Sequence, residues 1–282
     1  MIEKNPNNWN EFKAIITEIR DTYGHHEYSI GNDQTYRGKN IVLFRGQQCA
    51  DWPLQTTLER KTRKSFNVAQ YLLQATKRVH EIESYTGTKW NIPDDLFREI
   101  KEKQDDLFGL FLPCYDYLVY LRHHGYPSPL LDWSESPYIA AYFALCDQTI
   151  ENSEKQNPAI YAYIDKVGPS KGFVGGNPII KIHGPFVSTH KRHFIQKAWY
   201  TVALNWSQIQ DQFIFCSHHD IFDNPNRDSS QDILIKITIP IAERKLALKD
   251  LDDYNINHFT LFQTEDSLIK ALGIKDFDIE DI

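Results

Sequence analysis

The sequence predicts an α+β fold built on a mixed or antiparallel sheet, and three observations lead there. Helical patterns fill most of the first half, strand-like apolar runs fill the second, and irregular loops separate those strands. No internal repeat or low-complexity tract competes with this reading.

The elements follow in order. Trp9, Phe12, Ile15, Ile16 and Ile19 recur at helical spacing, so a helix is expected over 9–23 with a cap at Asn7 or Asn8. A polar, glycine-containing stretch runs from Tyr23 to Asn40. Ile41–Phe44 is a short apolar run of the kind that forms a buried strand. From Thr57 to about Arg122 the pattern is helical, broken near Gly87 and at Pro93 and Pro113, with Leu107–Leu112 and Tyr115–Leu121 apolar enough for buried helix. Leu130–Ser134 is a strand, and Ser134 or Ser136 caps an alanine-rich helix that has Pro137 in its first turn.

Ala159–Ile164 is the next strand, followed by a Gly/Pro-rich loop from Gly168 to Gly184. Strands are expected at Trp199–Leu204, Phe213–Cys216 and Ile233–Ile239, with Asp220–Gln231 as a surface loop. A helix over Ile241–Leu251, a short strand at Phe259–Phe262 and a last helix from Glu265 complete the chain. Residues 1–40 form a helix and lead-in, and residues 41–282 a single domain with a helical insertion at about 57–122.

Composition narrows the function classes. The chain is 41% hydrophobic and 24% charged, with six Trp, fifteen Tyr and sixteen Phe for a core built on rings. A net charge of −7 disfavours a protein that coats nucleic acid electrostatically, although Lys61, Arg63 and Lys64, and Lys191, Arg192 and Lys197, cluster locally. The four cysteines are far apart and form no CxxC pair, which reads as free thiols in a reducing compartment. No apolar leader and no run of about 18 apolar residues is present, so a cytoplasmic protein with no membrane partner is expected.

Several residues could carry chemistry. Arg45 ends a strand beside Gly46, where a guanidinium fork suits a phosphate or carboxylate and a glycine admits a ligand to the backbone. The alternative is an ion pair with a buried Asp or Glu. His123 and His124 point apart and are poor co-ligands for one metal, so no metal is expected. Asp132, Trp133 and Ser134 lie where a strand delivers polar groups to a helix N-terminus, though turn bonding and capping explain them equally. Gln263-Thr264-Glu265 offers a late carboxylate, or an ordinary helix N-terminal charge. Arg192 and Gln196 are four apart on one helix face. There is no P-loop, GxGxxG or GxSxG.

Together these residues resemble the FRG domain family, named for the Phe-Arg-Gly found here as Phe44-Arg45-Gly46. The resemblance continues through Gln47, Trp52-Pro53-Leu54, Leu58 and Arg60. It is most specific across His123, Gly125, Pro127, Leu130 to Ser134, Pro137, Ala140-Ala141 and Phe143-Ala144. Weaker positions follow at Arg192, Gln196, Ile239-Pro240, Lys245 and Leu261-Phe262, so it spans roughly residues 40–272. The chain departs from the family at Arg122 and His124 around the histidine, at Pro129 in place of an arginine, and at Gln263-Thr264.

A more distant resemblance is to mono-ADP-ribosyltransferases, which implies a split antiparallel sheet and NAD as the substrate. It implies Arg45 on the NAD pyrophosphate, Ser134 on the nicotinamide ribose or against the glutamate, and Trp133 or Tyr138 stacked on nicotinamide. The catalytic carboxylate position falls on Glu265 in a Gln263-x-Glu265 arrangement, with Gln196 as the alternative, and a carboxylate there would stabilise an oxocarbenium-like ribose. Gly46, His123 and Asp132 would shape the same site. The expected activity is ADP-ribosyl transfer to a protein or nucleic-acid acceptor by a bacterial toxin or anti-phage effector, with an antitoxin or chaperone as a further partner. Hydrolysis of NAD and a non-catalytic nucleotide- or partner-binding module are the alternatives.

Overall fold

The computed structural model describes residues 1–30, 34–62, 64–102, 112–147, 156–166, 178–185, 187, 191–224 and 232–280. Among these, the strands are β1 (Ile2–Lys4), β2 (His25–Ile30), β3 (Gln34–Lys39), β4 (Ile41–Gln47), β5 (Leu131–Ser134), β6 (Ala159–Asp165), β7 (Ile179–His183), β8 (Ala198–Ser207), β9 (Gln212–Phe215) and β10 (Asp232–Thr238). The helices of the first half are α1 (Trp9–Tyr23), α2 (Thr57–Lys61), α3 (Val68–Thr76), α4 (Val79–Thr86), α5 (Leu96–Glu102), α6 (Tyr115–His123) and α7 (Pro137–Leu145). Those of the second half are α8 (Lys191–Ile195), α9 (His218–Asp223), α10 (Arg244–Asp253), α11 (His258–Phe262) and α12 (Glu265–Ile274).

The fold is α+β on a mixed sheet in the order β1-β10-β6-β4-β5-β8-β7, with β9 added along β8. The β1–β10 pair is parallel and the other pairs are antiparallel. The sheet is two halves joined at one point. β4 pairs with β6 over all seven of its residues, and β5 pairs with β8 over all four, but β4 and β5 meet only at Phe44↔Ser134. Beyond that pair the two strands diverge and leave an opening.

Period-two alternation sorts the side chains onto two faces. Phe44, Ile160, Ala162, Ile164, Ile235 and Ile237 pack with α1, α7 and α10 on one side. Leu43, Leu131, Trp133, Tyr161, Tyr163 and Leu234 pack with α9 on the other. A third cluster lies between α3, α6 and the Tyr200, Val202 and Leu204 positions of β8. Helix α1 is capped by Asn8, whose side chain accepts from Glu11 N at 2.9 Å, and it buries Trp9, Phe12, Ile16 and Ile19. Each such burial contributes about 1.5–3 kcal/mol.

Three expectations need correction. Phe259–Phe262 is helix α11, not a strand, because Asn257 caps it reciprocally with Thr260; a short aromatic run carries no period that tells helix from strand. The described end of the Gly168–Gly184 loop contains edge strand β7, while the polar Tyr23–Asn40 stretch, for which no element was expected, pairs β2 with β3 in a separate two-stranded sheet. The start of the expected Asp220–Gln231 loop is the end of α9. The expected helix at Leu107–Leu112 lies outside the described residues except for Leu112, which is buried. No described helix is long and apolar enough to cross a membrane.

Candidate functional site

A cleft of about 320 Å³ opens where β4 and β5 part. Its walls are Phe44, Arg45 and Gly46 of β4, Asp132, Trp133 and Ser134 of β5, and Ala198 and Tyr200 of β8. Arg122 and His123 come from the end of α6, Ala140 and Phe143 from α7, Arg192 and Gln196 from α8 and the turn after it, and Phe262 from α11. Strand register explains part of the convergence: Asp132 lies opposite Tyr200 and Ser134 opposite Ala198.

Asp132 is the hub. Arg45 Nη1 donates to its carboxylate at 2.8 Å and to its backbone carbonyl at 2.9 Å, and Arg122 Nη2 donates to the other carboxylate oxygen. Arg45 therefore makes the ion pair that was the simpler of its two readings, and both guanidiniums are largely buried while the Asp132 carboxylate is 42% exposed. Burial works to raise the Asp132 pKa, but the guanidiniums of Arg122 and Arg45 overcome it and hold the carboxyl below the ordinary carboxylate range.

His123 is tied to both walls. Its Nε2 lies 2.7 Å from Tyr200 Oη, Arg192 Nε donates to its Nδ1 at 3.1 Å, and Arg192 Nη2 donates to its carbonyl. The Arg192 guanidinium also lies 5.8 Å over the Phe262 ring, and Phe262 meets Phe143 edge-on at 6.1 Å. Gly125, at φ 82°, makes the left-handed turn that carries the chain out of α6 towards β5.

Other expected site residues fall differently. Ser134 Oγ donates to Gln196 O at 2.7 Å and accepts from Ser136 N at 3.0 Å, so it stitches β5 to the α8 turn while Ser136 caps α7. Gln196 lines the cleft and donates from Nε2 to Leu261 O at 3.1 Å. The Trp133 ring points into the core, where Nε1 donates to Thr201 Oγ1 at 2.8 Å and the ring meets Tyr163, so it is not a stacking platform for a ligand. Tyr138 packs against Trp9 and Tyr254, outside the cleft lining. Gly46 faces the backbone of α7, and the close approach it permits is that of a helix.

Gln263 and Glu265 do not reach the cleft. Gln263 is the left-handed C-cap of α11 at φ 54°, and Glu265 is an exposed residue in the first turn of α12, whose cap is Thr264. The junction is helix-to-helix, and local capping explains it fully. Sequence reasoning passed over Arg122, Tyr200, Phe143 and Phe262. Tyr200 was accessible through alternation, since it shares a strand face with Ala198.

The histidines give a pH prediction. Burial first, then nearby arginine charge (Arg192 for His123, Arg45 for His218), lowers both pKa values to about 3. An unfolded histidine takes up its proton at about 6.5. The stability from keeping these rings neutral is present above that pH and declines between about 6.5 and 3, with a slope approaching roughly 1.4 kcal/mol per pH unit for each ring. Asp132, depressed in the fold, adds stability that is lost only as pH falls below about 4. Urea unfolding at pH 7 and pH 4.5 checks this; equal free energies contradict the neutral assignments.

The α+β fold thus carries an arginine-rich, aromatic-walled cleft where its sheet splits. Residues 40–153 match the family model of the FRG domain, and the chain contains an FRG domain. Comparison with curated proteins and with solved structures yields no match. The matched segment supplies Arg45, Gly46, Arg122, His123 and Asp132, while Arg192, Gln196, Tyr200 and Phe262 come from beyond it.

Proposed function

We propose that the chain binds NAD in this cleft and transfers its ADP-ribosyl group to a macromolecular acceptor. The observation that carries the reading is the charge of the cleft: among the described residues three guanidiniums stand against one carboxylate, in a chain of net charge −7. Two surplus positive charges suit a pyrophosphate, and guanidinium forks bind its oxygens in pairs. Arg192, which lines the cleft apart from the Arg45–Asp132 and Arg122–Asp132 pairs, is assigned to the pyrophosphate. Phe143 and Phe262, which meet edge-on, give the cleft an aromatic wall for a base or for nicotinamide.

In the reaction the bond between ribose C1′ and the nicotinamide nitrogen breaks, and its electron pair leaves with nicotinamide. A nucleophile of the acceptor bonds to C1′ and gives up its proton to solvent water. Asp132, ionised at working pH, faces the positive charge that develops on the ribose and takes the role the resemblance assigned to Glu265.

One observation favours a second reading, a non-catalytic nucleotide-binding module: both Asp132 oxygens already accept from arginines, which reduces the negative charge left for a transition state. Incubation of the purified protein with labelled NAD and cell extract separates the outcomes. Label on a macromolecule together with nicotinamide release is expected, lost in Arg192→Ala and retained in Glu265→Ala. Free ADP-ribose would make the protein a NAD hydrolase, and saturable binding without nicotinamide release would favour the module.

A further inference from the structure

We propose that Tyr200 and His193 are positioning residues of the cleft: they hold His123 in its Nε2–H tautomer, which leaves Nδ1 to fix the Arg192 guanidinium. The argument starts from the two ends of a hydrogen-bonded chain, each of which has only one possible role. At one end Arg192 Nε can only donate, and at 3.1 Å it meets His123 Nδ1, which must be unprotonated. At the other end the carbonyl of Pro185 can only accept, and at 2.8 Å it meets His193 Nε2, which must carry a hydrogen.

Between them lies Tyr200 Oη, 2.7 Å from His123 Nε2 and 3.3 Å from His193 Nδ1. A neutral His123 with Nδ1 bare carries its hydrogen on Nε2 and donates to Tyr200. A neutral His193 with its hydrogen on Nε2 offers Nδ1 as an acceptor, and the Tyr200 hydroxyl donates to it. The directions set independently at the two ends meet at Tyr200 with one bond in and one bond out. No donor faces a donor anywhere along the chain. Burial supports the same protonation, since it lowers the pKa of both histidines and raises that of the phenol.

The consequence reaches the cleft. Arg192 spends Nε and Nη2 on His123 and lies over Phe262, so its orientation is set by a histidine whose tautomer is fixed from the far side by Tyr200 and His193. A flip of His123 to Nδ1–H would place a hydrogen against Arg192 Nε–H and push the guanidinium away. This orientation bears on pyrophosphate binding only through the reading of the cleft as a NAD site; the tautomer itself does not depend on that reading.

Nitrogen-15 NMR of the whole protein at pH 7 tests it without ligand. The expected result is a His123 with protonated Nε2 and bare Nδ1, and a slowly exchanging Arg192 Nε–H. In Tyr200→Phe the His123 tautomers should mix and exchange of the Arg192 Nε–H should quicken by about tenfold or more, as for a lost hydrogen bond. His193→Phe should act in the same direction, and His193→Asn, which returns an acceptor oxygen near the Nδ1 position, should restore the wild-type signals. A wild-type His123 that is charged or Nδ1-protonated overturns the proposal even if no variant folds. So does a folded Tyr200→Phe or His193→Phe with both signals unchanged. A parallel NAD titration separates the two ideas: wild-type protein with the expected tautomer and no NAD binding would sink the NAD site and leave the positioning role intact.

Discussion

Gly46→Ala is expected to destabilise the fold by at least about 3 kcal/mol, or to prevent folding, in spite of adding a single methyl group. A Cβ at Gly46 would lie 1.9 Å from Ala140 O, 2.7 Å from Ala144 N and 2.9 Å from Ala140 C. All three are backbone atoms of α7, so no side-chain rotation relieves the contact, and α7 must lift from β4. That lift would open the contact between β4 and α7 beside the cleft and move Ser136 and the end of β5 with it. Gly273→Ala is the matched control: nothing lies within 4 Å of its Cβ position in α12. There the same substitution should be neutral or stabilise by up to about 1 kcal/mol, because alanine favours helix over glycine. Urea unfolding of the two variants beside the wild type reads the contrast, and similar stabilities would mean that α7 does not press on Gly46.

Asp132→Ala is expected to cost about 2–3 kcal/mol. Removing one partner of a buried ion pair strands the others, which typically costs about 3–5 kcal/mol, and the exposure of the Asp132 carboxylate lowers the figure. The guanidiniums of Arg45 and Arg122 would then share a pocket with no counter-charge, and the Nε of each has no hydrogen-bond partner in the native site. An anion that enters the vacated place binds only the folded form, so sulfate should recover part of the loss in Asp132→Ala and add far less to the wild type. Unfolding free energies with sulfate and with an equal ionic strength of chloride decide it. An unchanged stability in Asp132→Ala would show that the carboxylate does not hold the two arginines together.

The cleft was legible where chemistry sat at the ends of regular elements. Arg45 follows the apolar run of a strand that continues to Gln47, Asp132 and Ser134 share one face of another, and His123 ends a helix; all four reach the opening. Trp133 illustrates a missed inference, because a strand that sends Asp132 and Ser134 to one side sends the residue between them to the other. Glu265 and Gln263 looked catalytic because a polar cluster at a helix start can be a site, but Thr264 and the left-handed Gln263 are there to end one helix and begin the next. Arg122 read as a departure from the family pattern, as did Pro129 in place of an arginine. In space Arg122 brings a guanidinium to Asp132, a contact across ten residues that no local pattern carries. The paired halves of the sheet likewise depend on long-range register, so the single Phe44↔Ser134 junction that creates the opening was beyond reach of periodicity.

The central claim is that the opening between β4 and β5 binds NAD through Arg192. Calorimetric titration of NAD into wild-type protein, Arg192→Ala and Glu265→Ala tests it directly. One saturable site in the wild type is predicted, with affinity weakened roughly tenfold to a hundredfold in Arg192→Ala, the worth of charged hydrogen bonds, and unchanged in Glu265→Ala. Folded wild-type protein that binds no NAD, or an Arg192→Ala variant that binds it as tightly as the wild type, would contradict the account.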